Sequence, residues 1–177
     1  MIRQTLLAAA AVALAVPAVA LGDSQPSPAS LATQTCKTEL AQAAATFKLT
    51  YGTNASKSNA FGQCVAKHRT AAQAELQNAA KLCKAEQQAD AAAFDKKYGS
   101  NTKAKGNGAA ADAFGKCVSA KATAAAQADA KADIAASKAC KTELAAGAAA
   151  FATKYGTGTA KRNAFGKCVS AKSKAGD

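Results

Sequence analysis

The sequence predicts an all-α protein built as three disulfide-stapled helical hairpins in tandem, joined by long continuous helices. Three observations predict it. All six cysteines, all six phenylalanines and all three tyrosines fall into one motif that occurs three times. The chain from residue 21 onward has only 17 Leu, Ile, Val and Phe among 157 residues, too few for an ordinary globular core. Alanine, the strongest helix former, fills much of the rest, and an even number of cysteines can supply what the core lacks.

The motif copies are Cys36, Glu39, Phe47, Tyr51-Gly52, Phe61-Gly62 and Cys64-Val65, then Cys83, Glu86, Phe94, Tyr98-Gly99, Phe114-Gly115 and Cys117-Val118, then Cys140, Glu143, Phe151, Tyr155-Gly156, Phe165-Gly166 and Cys168-Val169. The interval from the first Cys to the Tyr-Gly glycine is the same in every copy: Cys36 to Gly52, Cys83 to Gly99 and Cys140 to Gly156. The interval from the Phe-Gly glycine to the second Cys is equally fixed. Only the stretch between the two glycines varies, being longer from Gly99 to Gly115 than from Gly52 to Gly62 or Gly156 to Gly166. Such periodicity marks a repeat architecture.

Residues 1–20 read as a signal peptide. Arg3 supplies a positive start, Leu6 to Val16 an apolar run too short to span a bilayer, and Ala18-Val19-Ala20 a cleavage site. The expected location is therefore secreted or periplasmic, in or around the cell envelope, with no transmembrane segment after signal cleavage. Residues 21–33 read as a disordered leader, since Gly22 to Pro28 is a run of turn-forming residues. Repeat 1 follows over 34–69. Its first helix begins near Thr33 or Thr35 and carries the stripe Cys36, Leu40, Ala43, Phe47 and Tyr51. Tyr-Gly ends that helix, with the glycine expected in a left-handed conformation. Asn59, Asp112 and Asn163 are expected N-caps of the second helix of each copy. The Gly52–Ser58 loop must then return some 15 Å along the first helix. The Phe-Gly glycines suggest that this first helix passes too close for a side chain.

Repeat 2 with its linker helix covers 70–122, and repeat 3 with its linker covers 123–177. Neither Gly nor Pro interrupts Val65–Leu82 or Val118–Ala139. Each second helix should run on into the next copy, giving two helices of about 60 Å. That rules out Cys64–Cys83 and Cys117–Cys140 bridges, whose Cα atoms would stand roughly 28–35 Å apart. The repeat selects Cys36–Cys64, Cys83–Cys117 and Cys140–Cys168. Gln87 replaces the Leu of the other copies, so hairpin 2 is expected to be the weakest.

Few residues invite chemistry. His68 is the only histidine, its counterparts are Lys121 and Lys172, and it reads as a solvent-exposed polar position. Without a Cys-x-x-Cys or a His pair, no metal site and no cofactor are expected. Glu39, Glu86 and Glu143 recur three residues past a Cys, where Glu39 would favour a helix N-terminus. No catalytic constellation emerges, so the reading is non-enzymatic.

The formal net charge is +12, and cations recur in step with the repeat. The hairpin loops hold Lys57, then Lys103 and Lys105, then Lys161 and Arg162. These five are the expected polymer-binding residues of a periodic basic surface, with an anionic polysaccharide or other envelope polymer as partner. Every aromatic has a core task, so a specific nucleic-acid partner is not expected. The alternative is a structural spacer or envelope component whose lysines only keep it soluble. Non-reducing peptide mapping should recover the three intra-hairpin links. Each closes a loop of about 30 residues and should contribute on the order of 3 kcal/mol; a Cys64–Cys83 peptide would refute the continuous linker helix.

Overall fold

A computed structural model describes residues 25–99, 108–158 and 161–174. The expected signal peptide and the first part of the leader lie outside them, as do Lys103 and Lys105. The described residues form six helices and no strand: α1 (Pro28–Tyr51), α2 (Ala60–Ala89), α3 (Ala91–Tyr98), α4 (Gly108–Ala146), α5 (Ala148–Tyr155) and α6 (Ala164–Lys174). The disulfides are Cys36–Cys64, Cys83–Cys117 and Cys140–Cys168, each with Cα atoms 6.0 Å apart. Both linkers are helical, α2 carrying Cys64 and Cys83 and α4 carrying Cys117 and Cys140, but α2 with 30 residues is about 45 Å long, not the expected 60 Å that the 39 residues of α4 approach.

The first helix starts earlier than its periodicity suggests. Pro28 opens α1, and the Ser27 side chain accepts a hydrogen bond from the Ser30 backbone N–H. Serine at the cap and proline just inside are a strong start signal. Residues 28–33, expected to be disordered, are therefore helical, with Leu31 and Ala32 buried in the main core.

Each helix expected to run unbroken from Cys to Tyr instead breaks two turns after the Cys. Ala43 kinks α1 (φ −137°, ψ 35°), Asp90 separates α2 from α3 (φ −155°, ψ 96°), and Gly147 separates α4 from α5 (φ −179°, ψ 93°). Asp90 and Gly147 are extended, Ala43 is non-helical, and none of the three has a positive φ, so no special residue is needed. The cause is tertiary. Tyr51 meets Glu39, Tyr98 meets Glu86 and Tyr155 meets Glu143, pairs 12 residues apart. A straight helix would separate them by about 18 Å. The two turns after the break swing the tyrosine back, so the hairpin loop is spared the long return along the first helix that the sequence implies. The break also moves the buried face, leaving Leu40 on the outside at 39% exposed. Phe47 still packs on Phe61, and Phe151 on Phe165, at centroid distances of 6.4 and 6.2 Å.

The hairpins do not form an extended rod. Helices α1, α2 and α4 pack side by side, and α6 packs on both α4 and α1. The main core joins Leu31 and Ala32 of α1, Ala72, Leu76 and Ala79 of α2, and Val118, Ala122 and Ala126 of α4 around Phe94. This cluster contains the Cys83–Cys117 bridge and Phe94 of hairpin 2, and it also draws on α1 and on both linker helices. At the position of Gln87 the other copies differ: Leu40 is exposed, whereas Leu144 packs against the hairpin 3 core.

Two glycine readings change. Gly52, Gly99 and Gly156 end their helices with φ of −70°, −66° and −77°, not in the left-handed region. At Gly52 and Gly156 the requirement is space, since a Cβ would stand 2.5 Å from Lys57 Cβ and 2.6 Å from Lys161 Cβ respectively. Among the Phe-Gly glycines, Gly62 has nothing within 4 Å of an added Cβ, whereas one on Gly166 would meet the Thr50 carbonyl of α1 at 2.6 Å. The close approach is thus between hairpins 1 and 3, not within a hairpin. Gly62→Ala should then raise stability by about 0.5–1 kcal/mol through helix propensity. Gly166→Ala should lower it by about 1–3 kcal/mol by displacing α6 from α1. Urea unfolding under oxidising conditions compares them; equal shifts would contradict the packing assigned here.

Candidate functional site

The recurring glutamates prove to be acceptors inside each hairpin. Glu39 lies well inside α1, whose first turn holds no acid, so the helix N-terminus reading does not hold for it. In hairpin 2, Glu86 accepts from the Tyr98 hydroxyl at 3.3 Å, from Lys97 at 2.7 Å and pairs with Lys121 at 3.1 Å. Hairpin 3 repeats this with Glu143, Tyr155 (3.0 Å), Lys154 (2.7 Å) and Lys172 (3.4 Å). Hydrogen bonds from Lys97 and Lys121 hold the Glu86 carboxyl below the usual range, and Lys154 foremost does so for Glu143.

Hairpin 1 departs from that pattern at two positions. Thr50 stands where the others have Lys97 and Lys154, and His68 stands where they have Lys121 and Lys172. His68 is 7% exposed, not the solvent-facing residue expected, because α4 crosses over it and brings Asp133. Four side chains from three helices converge there. Tyr51 Oη lies 2.5 Å from Glu39 Oε2, 3.0 Å from His68 Nε2 and 3.2 Å from Asp133 Oδ2. His68 Nε2 lies 3.0 Å from Glu39 Oε1 and 3.6 Å from Asp133 Oδ2. Burial first, then the charges of Glu39 and Asp133, push the Tyr51 hydroxyl far above its ordinary pKa, so it remains a donor. Lys67 caps the group from the rim, 3.3 Å from Asp133 and over the Tyr51 ring. Beside it, Thr46 Oγ1 donates to Ser137 Oγ at 3.1 Å, a second polar tie between α1 and α4.

A cavity of about 310 Å³ borders this cluster, lined in part by Lys67, His68, Asp133, Ser170 and Lys174. Two further clefts, of about 440 and 430 Å³, adjoin the junction of hairpins 1 and 3. Lys67, Arg162 and Lys167 line the first, Lys57 and Arg162 the second, and among the described residues no Asp or Glu lines either.

The structure thus brings Lys57 and Arg162 together, while Lys161 does not line that cleft and instead donates to Thr153 at 3.3 Å. Lys57 and Lys161 are also the two described non-glycine residues with positive φ (55° and 47°), each folded over the glycine that ends the preceding helix. Asn59 and Asn163 are expected to cap helices. Asn59 makes no side-chain cap bond; both asparagines clasp the loop instead, accepting from the backbone N–H of Thr53 (3.1 Å) and Thr157 (3.2 Å). The sequence does not single out Lys167, since only the docking of α6 on α1 brings it to Lys67. Compared with protein-family models, curated proteins and solved structures, the chain matches none.

One further carboxyl is perturbed. Burial, then the hydrogen bond and charge of Asp129, push Glu75 up to about 7 against an ordinary 4.5, with His68 acting in the opposite sense. The folded chain therefore holds this proton more tightly than the unfolded one, and stability should fall as pH rises from about 4.5 to about 7. Glu75→Gln should remove that slope and leave the variant more stable than the parent above pH 7. Thermal melts between pH 4 and 8 check this; parallel profiles would show that the Glu75–Asp129 contact carries no linkage.

Proposed function

We propose that this chain is an exported, non-enzymatic protein that binds anionic polymers of the cell envelope or its surroundings, and that it does so at the junction of hairpins 1 and 3. The single observation that supports the reading is the pair of adjoining clefts where Lys57, Lys67, Arg162 and Lys167 meet with no carboxylate among the described lining residues. Four cations elsewhere in the repeats, Lys97, Lys121, Lys154 and Lys172, are paired with Glu86 and Glu143, and of the cleft's own cations Lys67 is paired with Asp133 at its inner end. A groove of one sign with low-dielectric walls concentrates an anionic chain far better than scattered lysines do. Three disulfides fit an oxidising compartment, and among the described residues no helix is long and apolar enough to cross a membrane. The side-by-side packing of α1, α2 and α4 shortens the molecule, which favours a binding role over a spacer.

Charge reversal separates a site from bulk charge. The triple variant Lys57→Glu, Arg162→Glu and Lys167→Glu should elute from a sulfated-polysaccharide column at much lower salt than the parent. The control, Lys131→Glu, Lys138→Glu and Lys141→Glu, alters exposed residues of α4 by the same net charge and should elute close to the parent. Parent retention should fall steeply with salt as counterions are exchanged. Equal losses in both variants would mean that only net charge matters.

A further inference from the structure

The cluster in hairpin 1 is short of protons. Glu39 Oε1 and Oε2, Asp133 Oδ2, His68 Nε2 and Tyr51 Oη all crowd together. Among them they own one hydroxyl proton and at most one imidazole proton. Tyr51 can give its proton to one carboxylate at a time. Glu39 is 3% exposed and its Oε1 makes no hydrogen bond, although His68 Nε2 lies 3.0 Å away. Two carboxylates with so few donors are costly to bury unless a cation accompanies them. In hairpins 2 and 3 two lysines fill that role directly; in hairpin 1 both are replaced, and the remaining Lys67 reaches only Asp133.

We propose that Glu39, His68 and Asp133 bind a divalent transition-metal ion, with Zn²⁺ the best fit. Their donor atoms lie within 4.8 Å of one another, and all three residues are buried. The distances from His68 Nε2 to Glu39 Oε1 and Asp133 Oδ2, 3.0 and 3.6 Å, bracket the spacing of about 3.3–3.5 Å between neighbouring ligands around tetrahedral zinc. An imidazole nitrogen with two carboxylates suits Zn²⁺ and its first-row neighbours; Ca²⁺ and Mg²⁺ prefer oxygen alone. Tyr51, donating to Glu39 Oε2, fixes the carboxylate so that Oε1 is presented to the ion. His68 and Asp133 also line the 310 Å³ cavity, from which a water could complete the coordination. The sequence argues against such a site because its ligands come one each from three helices, with no local spacing to betray them.

The test uses the oxidised, untagged chain freed of metal by a chelator. Calorimetric titration with Zn²⁺ should show one ion per chain, with a rise in Tm on loading. Co²⁺ should give the visible absorption bands of a four- or five-coordinate site. His68→Lys restores the residue found in hairpins 2 and 3, so Glu39 keeps a partner while the ligand is lost. His68→Lys, His68→Gln and Asp133→Asn should each weaken uptake at least ~100-fold and abolish the Tm rise. Failure of the parent chain to take up Zn²⁺ or Co²⁺ stoichiometrically would overturn the proposal. Uptake unchanged in His68→Gln and Asp133→Asn would overturn it equally, whatever His68→Lys does.

Discussion

The rest of the fold depends on a helix that must break so that a tyrosine can reach a glutamate one disulfide away. In each hairpin the bridge pins two helices at a Cα separation of 6.0 Å, and the glutamate sits one turn beyond the pinned cysteine. The tyrosine hydroxyl can satisfy itself on that carboxylate only if the chain leaves its helical course between them. It does so at Ala43, Asp90 and Gly147, and the short helix that follows brings a phenylalanine under the bridge. A side-chain hydrogen bond nets only about 0.5–1.5 kcal/mol, more when one partner is charged. The break gains more by turning Phe47, Phe94 and Phe151 inward, where each is 3% exposed or less. In a chain this poor in large apolar residues, three buried phenyl rings beside three bridges make up much of the hairpin cores.

Hairpins 2 and 3 keep their glutamates at the surface, where lysines answer them and water helps. Hairpin 1 answers its glutamate differently, and its flank is covered. α4 runs alongside α1, placing Asp133 against Tyr51 and Ser137 against Thr46. A lysine at residue 68 would carry its strongly hydrated ammonium into that seam. Histidine presents a flat ring with one nitrogen toward the acids and fits the covered position. The exchange of Lys for His is thus a consequence of where α4 lies, and it also turns a simple ion pair into a set of metal-binding donors.

The sequence makes legible whatever repeats locally. Cysteine spacing and uninterrupted linkers are enough for the helical class, the long helices of α2 and α4 and all three bridges. The breaks are illegible because Ala43, Asp90 and Gly147 share no residue type, and a helical stripe counted across them keeps its period while the helix changes direction. Leu40 and Phe47 therefore look like neighbours on one face, yet only Phe47 is buried. His68 is misjudged for a related reason. Its burial comes from Asp133, far along the chain in another helix, and nothing near residue 68 announces that α4 will return there. Of the five expected polymer-binding residues, Lys57 and Arg162 do share a cleft, Lys161 faces elsewhere, and Lys103 and Lys105 lie outside the described residues.

The docking of hairpin 3 on hairpin 1 joins these threads. Leu49 packs against the hairpin 3 core, and the Thr50 carbonyl sits over Gly166, which lets α6 approach α1 more closely than any other residue would allow. That approach carries Arg162 and Lys167 to Lys57 and Lys67, and Ser170 to the cavity beside His68. In a linear array of hairpins these cations would be dispersed along a rod, each screened by water and salt beyond about 8–10 Å. Folded back, they face one space. Lys67 belongs to both neighbourhoods, pairing with Asp133 at its inner end and lining the basic cleft at its outer one. If a divalent ion occupied the cluster, Asp133 would share its charge with the metal and hold Lys67 less strongly. The contact that caps the buried cluster also forms one wall of the basic cleft.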